Sequence, residues 1–229
     1  MGIAENLARV TTRVRAAAEA SGRDPAAVTV LAAVKTQTVQ AVIESLDAGV
    51  TLIGHNRAQE LVQLDAELAA HGRGGVHTHF IGALQTNKVN KVVPLVDCVQ
   101  SVDRWELAQR LDHAAAHTGR VLDVLVQVNA SGEPTKSGVR PDDAVSFAQQ
   151  VAALPALRLR GLMTIGAHSP DPAVVDASFA VMQQLSWELG RVGLDAGELS
   201  MGMSGDLESA VAHGATIVRV GTGVFGPRA

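Results

Sequence analysis

Lys35 is the residue of this chain best placed for covalent chemistry. It closes the apolar run VTVLAAVKT and is one of only four lysines, with Lys88, Lys91 and Lys136, in a chain that otherwise uses arginine for positive charge. Strict strand alternation puts Lys35 on the face of Leu31 and Ala33, at the mouth of whatever the strand helps to enclose. Poor hydration there disfavours the ammonium and frees the neutral amine, the form that attacks an aldehyde. A lysine that snorkels from a strand end into water fits the same position. A second group lies near the C-terminal end. Ser204 and Gly205 follow one short apolar run, with Asp206 placed to cap a helix over 207–213, and Gly221, Thr222 and Gly223 follow the next. Small residues let backbone N–H groups approach an anion closely, and hydroxyls add donors, although ordinary glycine-rich turns have the same composition.

Arg219 stands two residues before Gly221, on the same face of its strand and therefore inside the fold. A guanidinium keeps its charge and must find an acceptor, either a ligand ring nitrogen or a structural carboxylate. Other candidates are weaker. His77 and His79 share a strand face, and His113 and His117 share a helix face, but no carboxylate or cysteine completes a metal site around either pair. GTGVFG matches a dinucleotide fingerprint literally and lacks the following helix that the fingerprint needs. Cys98 sits in an apolar run and reads as a core thiol. Met201 and Met203 read first as packing, and Trp105 and Trp187 as side chains that cover the core. Lys136, in a loop, reads as exposed, with transient capture of a second aldehyde as its other possible role.

These groups need a scaffold that brings strand ends together. Runs rich in Val, Ile and Leu begin near Val28, Thr51, His77, Asp97, Val121, Arg158, Glu198 and Thr216, at intervals of 18 to 40 residues. Each interval holds a strand, a helix and two short loops, as parallel βα units require. Helical patterns cover 39–48, 56–70, 105–118, 142–154 and 174–192, with Pro141 and Pro172 at helix starts. Eight units predict a (β/α)8 TIM barrel, and an open doubly wound sheet is the competing arrangement. The last strand has no full helix behind it, and the stripe Ile3, Leu7, Val10, Val14 and Ala17 predicts an extra N-terminal helix that packs on the barrel. In a barrel Lys35, Ser204, Gly221 and Thr222 fall at C-terminal strand ends, where function concentrates.

The chain has 229 residues with no linker or low-complexity stretch, so 1–229 is expected to be a single domain. Hydrophobic residues make up 47% but aromatic ones only 3%, so Ala, Val and Leu must fill the core. A net charge of −4 with no basic cluster argues against a nucleic-acid surface. One cysteine excludes an internal disulfide and suits a reducing compartment. No apolar run approaches the ~18 residues of a membrane span, and the charged N-terminal segment does not read as a secretory signal. The expected location is the cytoplasm.

Taken in order, VKT, IGHNRAQE, HFIGALQTNK, QSVDR, VLVQVNASGEPTKSG, LRGLMTIG and LSMGMSGDLESAVAHGATIVRVGTGVFGPR resemble the pyridoxal phosphate homeostasis proteins. These are single-domain relatives of the alanine racemase N-terminal barrel, and the likeness spans about Val28 to Arg228. The resemblance implies a barrel that binds pyridoxal 5'-phosphate covalently, as a Schiff base on Lys35. It sets Ser204, Gly221 and Thr222 around the phosphate, Arg219 facing the pyridine nitrogen, and Asn56 in the pocket lining; Met203 joins them as a cofactor contact. Two departures stand out. His55 replaces a usual glutamate, with a possible change of polarity near the ring, and Gln37-Thr38 replaces a basic residue followed by proline.

The residue facing the pyridine nitrogen sets what the cofactor can do. A carboxylate there protonates the nitrogen and makes the ring a strong electron sink, whereas an arginine favours the unprotonated nitrogen. Racemisation needs two bases on opposite faces of the substrate, and the racemases take one of them, a tyrosine, from a second domain and a neighbouring subunit. This chain has no tyrosine. The expectation is therefore a monomeric carrier that limits free aldehyde and supplies the cofactor to pyridoxal phosphate-dependent apoenzymes, without strong catalysis of its own. The alternatives are a small alanine racemase with His79 or His168 as substitute base, and an aldolase-type lyase that uses Lys35 without cofactor.

Overall fold

The computed structural model describes residues 2–167 and 169–227, so His168 lies outside the described residues. Eight parallel strands close into one barrel in sequence order: β1 (Thr29–Ala33), β2 (Leu52–His55), β3 (His77–Phe80), β4 (Cys98–Val102), β5 (Leu122–Gln127), β6 (Leu157–Met163), β7 (Glu198–Ser200) and β8 (Ile217–Val220). The sheet shuts where β1 pairs with β8, with Leu31 beside Arg219 and Ala32 beside Val220. The TIM barrel expectation holds, and the open-sheet alternative falls on this β1–β8 ladder.

Helices alternate with the strands. α1 (Ile3–Ala20) precedes β1; α2 (Val39–Asp47) and α3 (Ala58–Ala70) follow β1 and β2. The short α4 (Val89–Val92) follows β3, and α5 (Trp105–His117), α6 (Pro141–Ala152), α7 (Pro172–Arg191) and α8 (Leu207–Ala212) follow β4 to β7. Pro141 and Pro172 open their helices, where a missing N–H costs nothing. Among the described residues the last unit has only the four-residue α9 (Thr222–Phe225). α1 fills the gap: it packs against α8, α9 and α2 and buries Leu7, Val10, Val14 and Ala17 of the predicted stripe, with Ile3 half-buried at its start. Asn6 Nδ2 donates to the Val224 carbonyl at 3.1 Å, which satisfies a buried helix end.

Most of the core lies between sheet and helices, and it is built largely of Val, Leu and Ala, as the shortage of aromatics requires. Inside the barrel two smaller apolar clusters face each other. One holds Leu31, Leu52, Ile81 and Ile217, from the β8–β1–β2–β3 side. The other holds Cys98, Leu125 and Met163, from β4, β5 and β6. Gly54 is small because Leu31 fills its place: a Cβ there would lie 2.4 Å from Leu31 Cδ2. The tryptophans do not cover the core as expected. Trp105 and Trp187 are 39% and 62% exposed, on the solvent sides of α5 and α7.

Candidate functional site at the barrel mouth

The C-terminal ends of β1, β7 and β8 bring together most of the residues singled out in the sequence. β1 ends at Ala33, and the Val34 N–H still donates to the Gly54 carbonyl at 3.0 Å. The chain then turns at Lys35 and Thr36. Thr36 has φ 61°, the left-handed region, which is costly for a β-branched residue. Its hydroxyl donates to the Lys35 carbonyl at 2.6 Å. This early turn breaks the alternation on which a poorly hydrated Lys35 depends. Leu31 and Ala33 do line the barrel interior, but Lys35 itself is exposed. The departure at Gln37-Thr38 is benign, since Thr38 accepts the Ala41 N–H at 3.3 Å and caps α2.

Gly221 follows β8 directly beside the end of β1; a Cβ on it would sit 3.5 Å from the Ala33 carbonyl oxygen. Ser204 Oγ accepts the Gly223 N–H at 3.2 Å and lies 3.4 Å from Thr222 Oγ1, so the loops after β7 and β8 share one hydroxyl-rich corner. Gly223 has no room for a side chain, with Val220 Cγ1 2.6 Å and Ser204 Oγ 3.1 Å from a built Cβ. From outside, Arg13 of α1 donates to the Ser204 carbonyl at 2.9 Å and pairs with Glu208 at 2.6 Å. Asp206 occupies the N-cap position of α8, but its carboxylate does not cap the helix as predicted. It turns back to accept the Met203 N–H. The Met203 side chain is left 41% exposed.

Arg219 lies inside the barrel, 6% exposed. Its Nη1 donates to the Ser200 carbonyl at 2.7 Å and to Ser200 Oγ at 2.9 Å, and its Nη2 donates to the Thr164 carbonyl at 2.6 Å. These acceptors are uncharged. Among the described residues no carboxylate pairs with Arg219, so the structural-carboxylate alternative is excluded. Burial pulls its pKa down to about 10, and the negative charge of Asp206 acts in the opposite direction. A guanidinium has five N–H groups; three are used here, leaving the Nε–H and one Nη2–H without an acceptor among the described residues. That environment fits a neutral ring nitrogen.

Sequence reasoning missed what stands behind Ser200. Ser200 Oγ donates to Gln100 Oε1 at 2.6 Å, and Gln100 Nε2 meets His79 Nδ1 at 2.7 Å. The resulting polar seam runs from β8 to β3 between the two interior apolar clusters. Gln100 stands two residues after Cys98, so strand alternation alone offered it a place inside the barrel, but nothing local marks its cross-barrel partner.

Other expectations shift. Asn56 lines a cleft of about 750 Å³ with Arg57, Phe80 and Lys88, and no hydrogen bond ties it to Lys35 or Ser204. Its Oδ1 is enclosed without a donor among the described residues. His55 is buried beside Leu61 and Leu68 of α3, outside the barrel wall, so it does not set polarity near a ring in the mouth. Lys136 is not an exposed loop lysine: Nζ pairs with Glu133 at 2.6 Å and donates to the Gly166 carbonyl at 2.8 Å, with its side chain 19% exposed. His77 is exposed near Asp97, apart from the His79 seam. Among the described residues no cluster of three metal-ligating side chains forms, and no helix is long and apolar enough to cross a membrane.

A parallel eight-stranded barrel with an exposed lysine after β1, a hydroxyl corner after β7 and β8, and a buried arginine between them defines a class, and residues 5–229 match the family model for the alanine racemase N-terminal domain. Within that class the chain belongs to the pyridoxal phosphate homeostasis protein family. It is 46% identical over 226 residues to the pyridoxal phosphate homeostasis protein of Pseudomonas aeruginosa, covering 99% of this chain and 96% of that one. PipY of Synechococcus elongatus, solved with PLP bound, superposes with a TM-score of 0.85 at 35% identity, covering 98% of this chain and 100% of PipY. The alanine racemase of Clostridium difficile shares only the fold, with a TM-score of 0.79 at 15% identity over 57% of its length.

Proposed function

We propose that the protein holds pyridoxal 5'-phosphate reversibly at the barrel mouth and serves its homeostasis rather than a dedicated reaction. Lys35 Nζ is the covalent anchor for the cofactor aldehyde. Ser204, Gly221 and Thr222 receive the phosphate, with the Gly223 N–H in the same corner, and Met203 and Asn56 border the site. Arg219 offers its unused donors to the pyridine nitrogen. The bound group supplies an electrophilic aldehyde. The protein's own residues position that aldehyde and withhold strong acid from the ring.

The observation that carries this reading is Arg219, a buried cation in a neutral polar setting with spare donors. It favours an unprotonated ring nitrogen and therefore weak carbanion chemistry. Two-base racemisation also lacks support. The chain has no tyrosine, and His79 has Nδ1 occupied by Gln100. The exposure of Lys35 suits exchange, since an anchor reachable from water can take up and give back its ligand. We further propose a cytoplasmic monomer that passes cofactor to dependent apoenzymes.

Borohydride reduction of the loaded protein followed by peptide mapping tests the anchor. Label on Lys35 is expected, and label elsewhere overturns the assignment. Racemisation of L-alanine at ~1 per second or faster would replace the carrier reading with that of an enzyme. Label retained without cofactor, on incubation with a sugar phosphate, would replace it with a lyase.

A further inference from the structure

The hydrogen bonds along the seam have a fixed direction. Arginine only donates, so Ser200 Oγ accepts from Arg219 Nη1 at 2.9 Å. Its own O–H then goes to Gln100 Oε1 at 2.6 Å. With the amide oxygen committed to the serine, Gln100 Nε2 is the donor at the other end, and His79 Nδ1, 2.7 Å away, is the acceptor. A neutral imidazole whose Nδ1 accepts carries its proton on Nε2. The charge of one buried arginine thus orders three side chains from three other strands. Burial keeps His79 neutral, pulling its pKa down to about 4.

We propose that Gln100 and Ser200 are positioning residues: together they orient the Arg219 guanidinium toward the cofactor site and lock His79 as the Nε2–H tautomer. The cofactor half of this proposal rests on the function proposed above. Two backbone carbonyls already hold Arg219 in the barrel. The Ser200 hydroxyl adds a second acceptor for Nη1, and Gln100 fixes that hydroxyl's rotamer. Gln100 itself is fully buried, as is Ser200, so neither has water as a substitute partner.

The first test uses the cofactor-free protein. Nitrogen–proton correlation NMR of His79 is expected to show the Nε2–H tautomer in the unmodified chain. In Gln100→Glu it is expected to show Nδ1 protonated, because a carboxylate can only accept. An Nδ1–H tautomer in the unmodified protein, or no change in Gln100→Glu, overturns the seam direction. The second test titrates pyridoxal 5'-phosphate into folded protein. Gln100→Leu and Ser200→Ala are each expected to raise Kd about three- to tenfold, equivalent to about 0.7–1.4 kcal/mol, and Ser200→Thr, which keeps the hydroxyl, is expected to restore it. Unchanged affinity in both variants, with normal binding by the unmodified chain, overturns the positioning role. Absence of binding by the unmodified chain overturns the cofactor reading instead and leaves the tautomer result to decide the seam. If a variant does not fold, Gln100→Met and Ser200→Gly take its place in the same titration.

Discussion

Arg13 and Ser204 are 191 residues apart in sequence, yet the arginine's Nη1 donates to the serine's carbonyl at 2.9 Å. The same guanidinium pairs with Glu208 at 2.6 Å, so α1 is clamped both to the loop after β7 and to α8. The helix at one end of the chain therefore braces the hydroxyl corner at the other.

Replacing Arg13 by Ala removes both contacts. The ion pair is largely exposed and contributes little by itself, while the bond to the carbonyl restrains the loop. A stability loss of about 1 kcal/mol is expected by urea titration, together with faster release of pyridoxal 5'-phosphate on dilution. Unchanged release would show that the brace serves only folding.

Gly223→Ala tests the phosphate corner. A Cβ there would press on Val220 Cγ1 at 2.6 Å and on Ser204 Oγ at 3.1 Å, so Ser204 must move. Affinity for pyridoxal 5'-phosphate is expected to fall about tenfold, on the order of 1.4 kcal/mol, while binding of unphosphorylated pyridoxal stays the same. Equal losses for both ligands would place the phosphate elsewhere.

Lys35→Ala removes an exposed side chain, and its effect on unfolding is expected to stay within about 0.5 kcal/mol. Loss of borohydride-fixed label in a protein of unchanged stability would separate anchoring from folding. Thr36 beside it, at φ 61°, predicts that Thr36→Gly is neutral or stabilising by up to about 1 kcal/mol. A clear destabilisation would mean that the hydroxyl bond to the Lys35 carbonyl outweighs the backbone cost.

Two histidines make stability depend on acidity. His55 and His79 are each pulled down to about 4, chiefly by burial. In the unfolded chain they protonate near ~6.5. The unfolded state therefore binds more protons between about pH 6.5 and 4, so their contribution to stability is complete near neutrality and is lost as the pH falls through that window. For fully buried His55 the loss is roughly 2 kcal/mol by pH 5. Urea midpoints at pH 7.5 and pH 5 are expected to diverge, and to diverge less in His55→Gln. An equal gap in that variant would assign the effect to other groups.

Much of this architecture was legible in the sequence because its causes are local. Val-, Ile- and Leu-rich runs separated by amphipathic helices can close only as a barrel or open as a doubly wound sheet, and the Ile3-to-Ala17 stripe needed a surface to cover. His55 is placed near the ring by its motif, although it shares a strand face with Ile53 that points away from the interior. Two features were hidden. The exposure of Lys35 depends on a strand that stops at Ala33 and on one left-handed threonine, neither of which apolar alternation encodes. The seam depends on the stagger of the strands, which brings Gln100 of β4 to Ser200 of β7, 100 residues away in sequence.

The placement of α1 also sets an order of assembly. Its buried face gains α2 early but is completed only by α8 and α9, since Asn6 is satisfied by Val224 and β1 finds its second neighbour in β8. The β1–β8 seam thus joins the first and last strands of the chain, and the ring stays open until both are present.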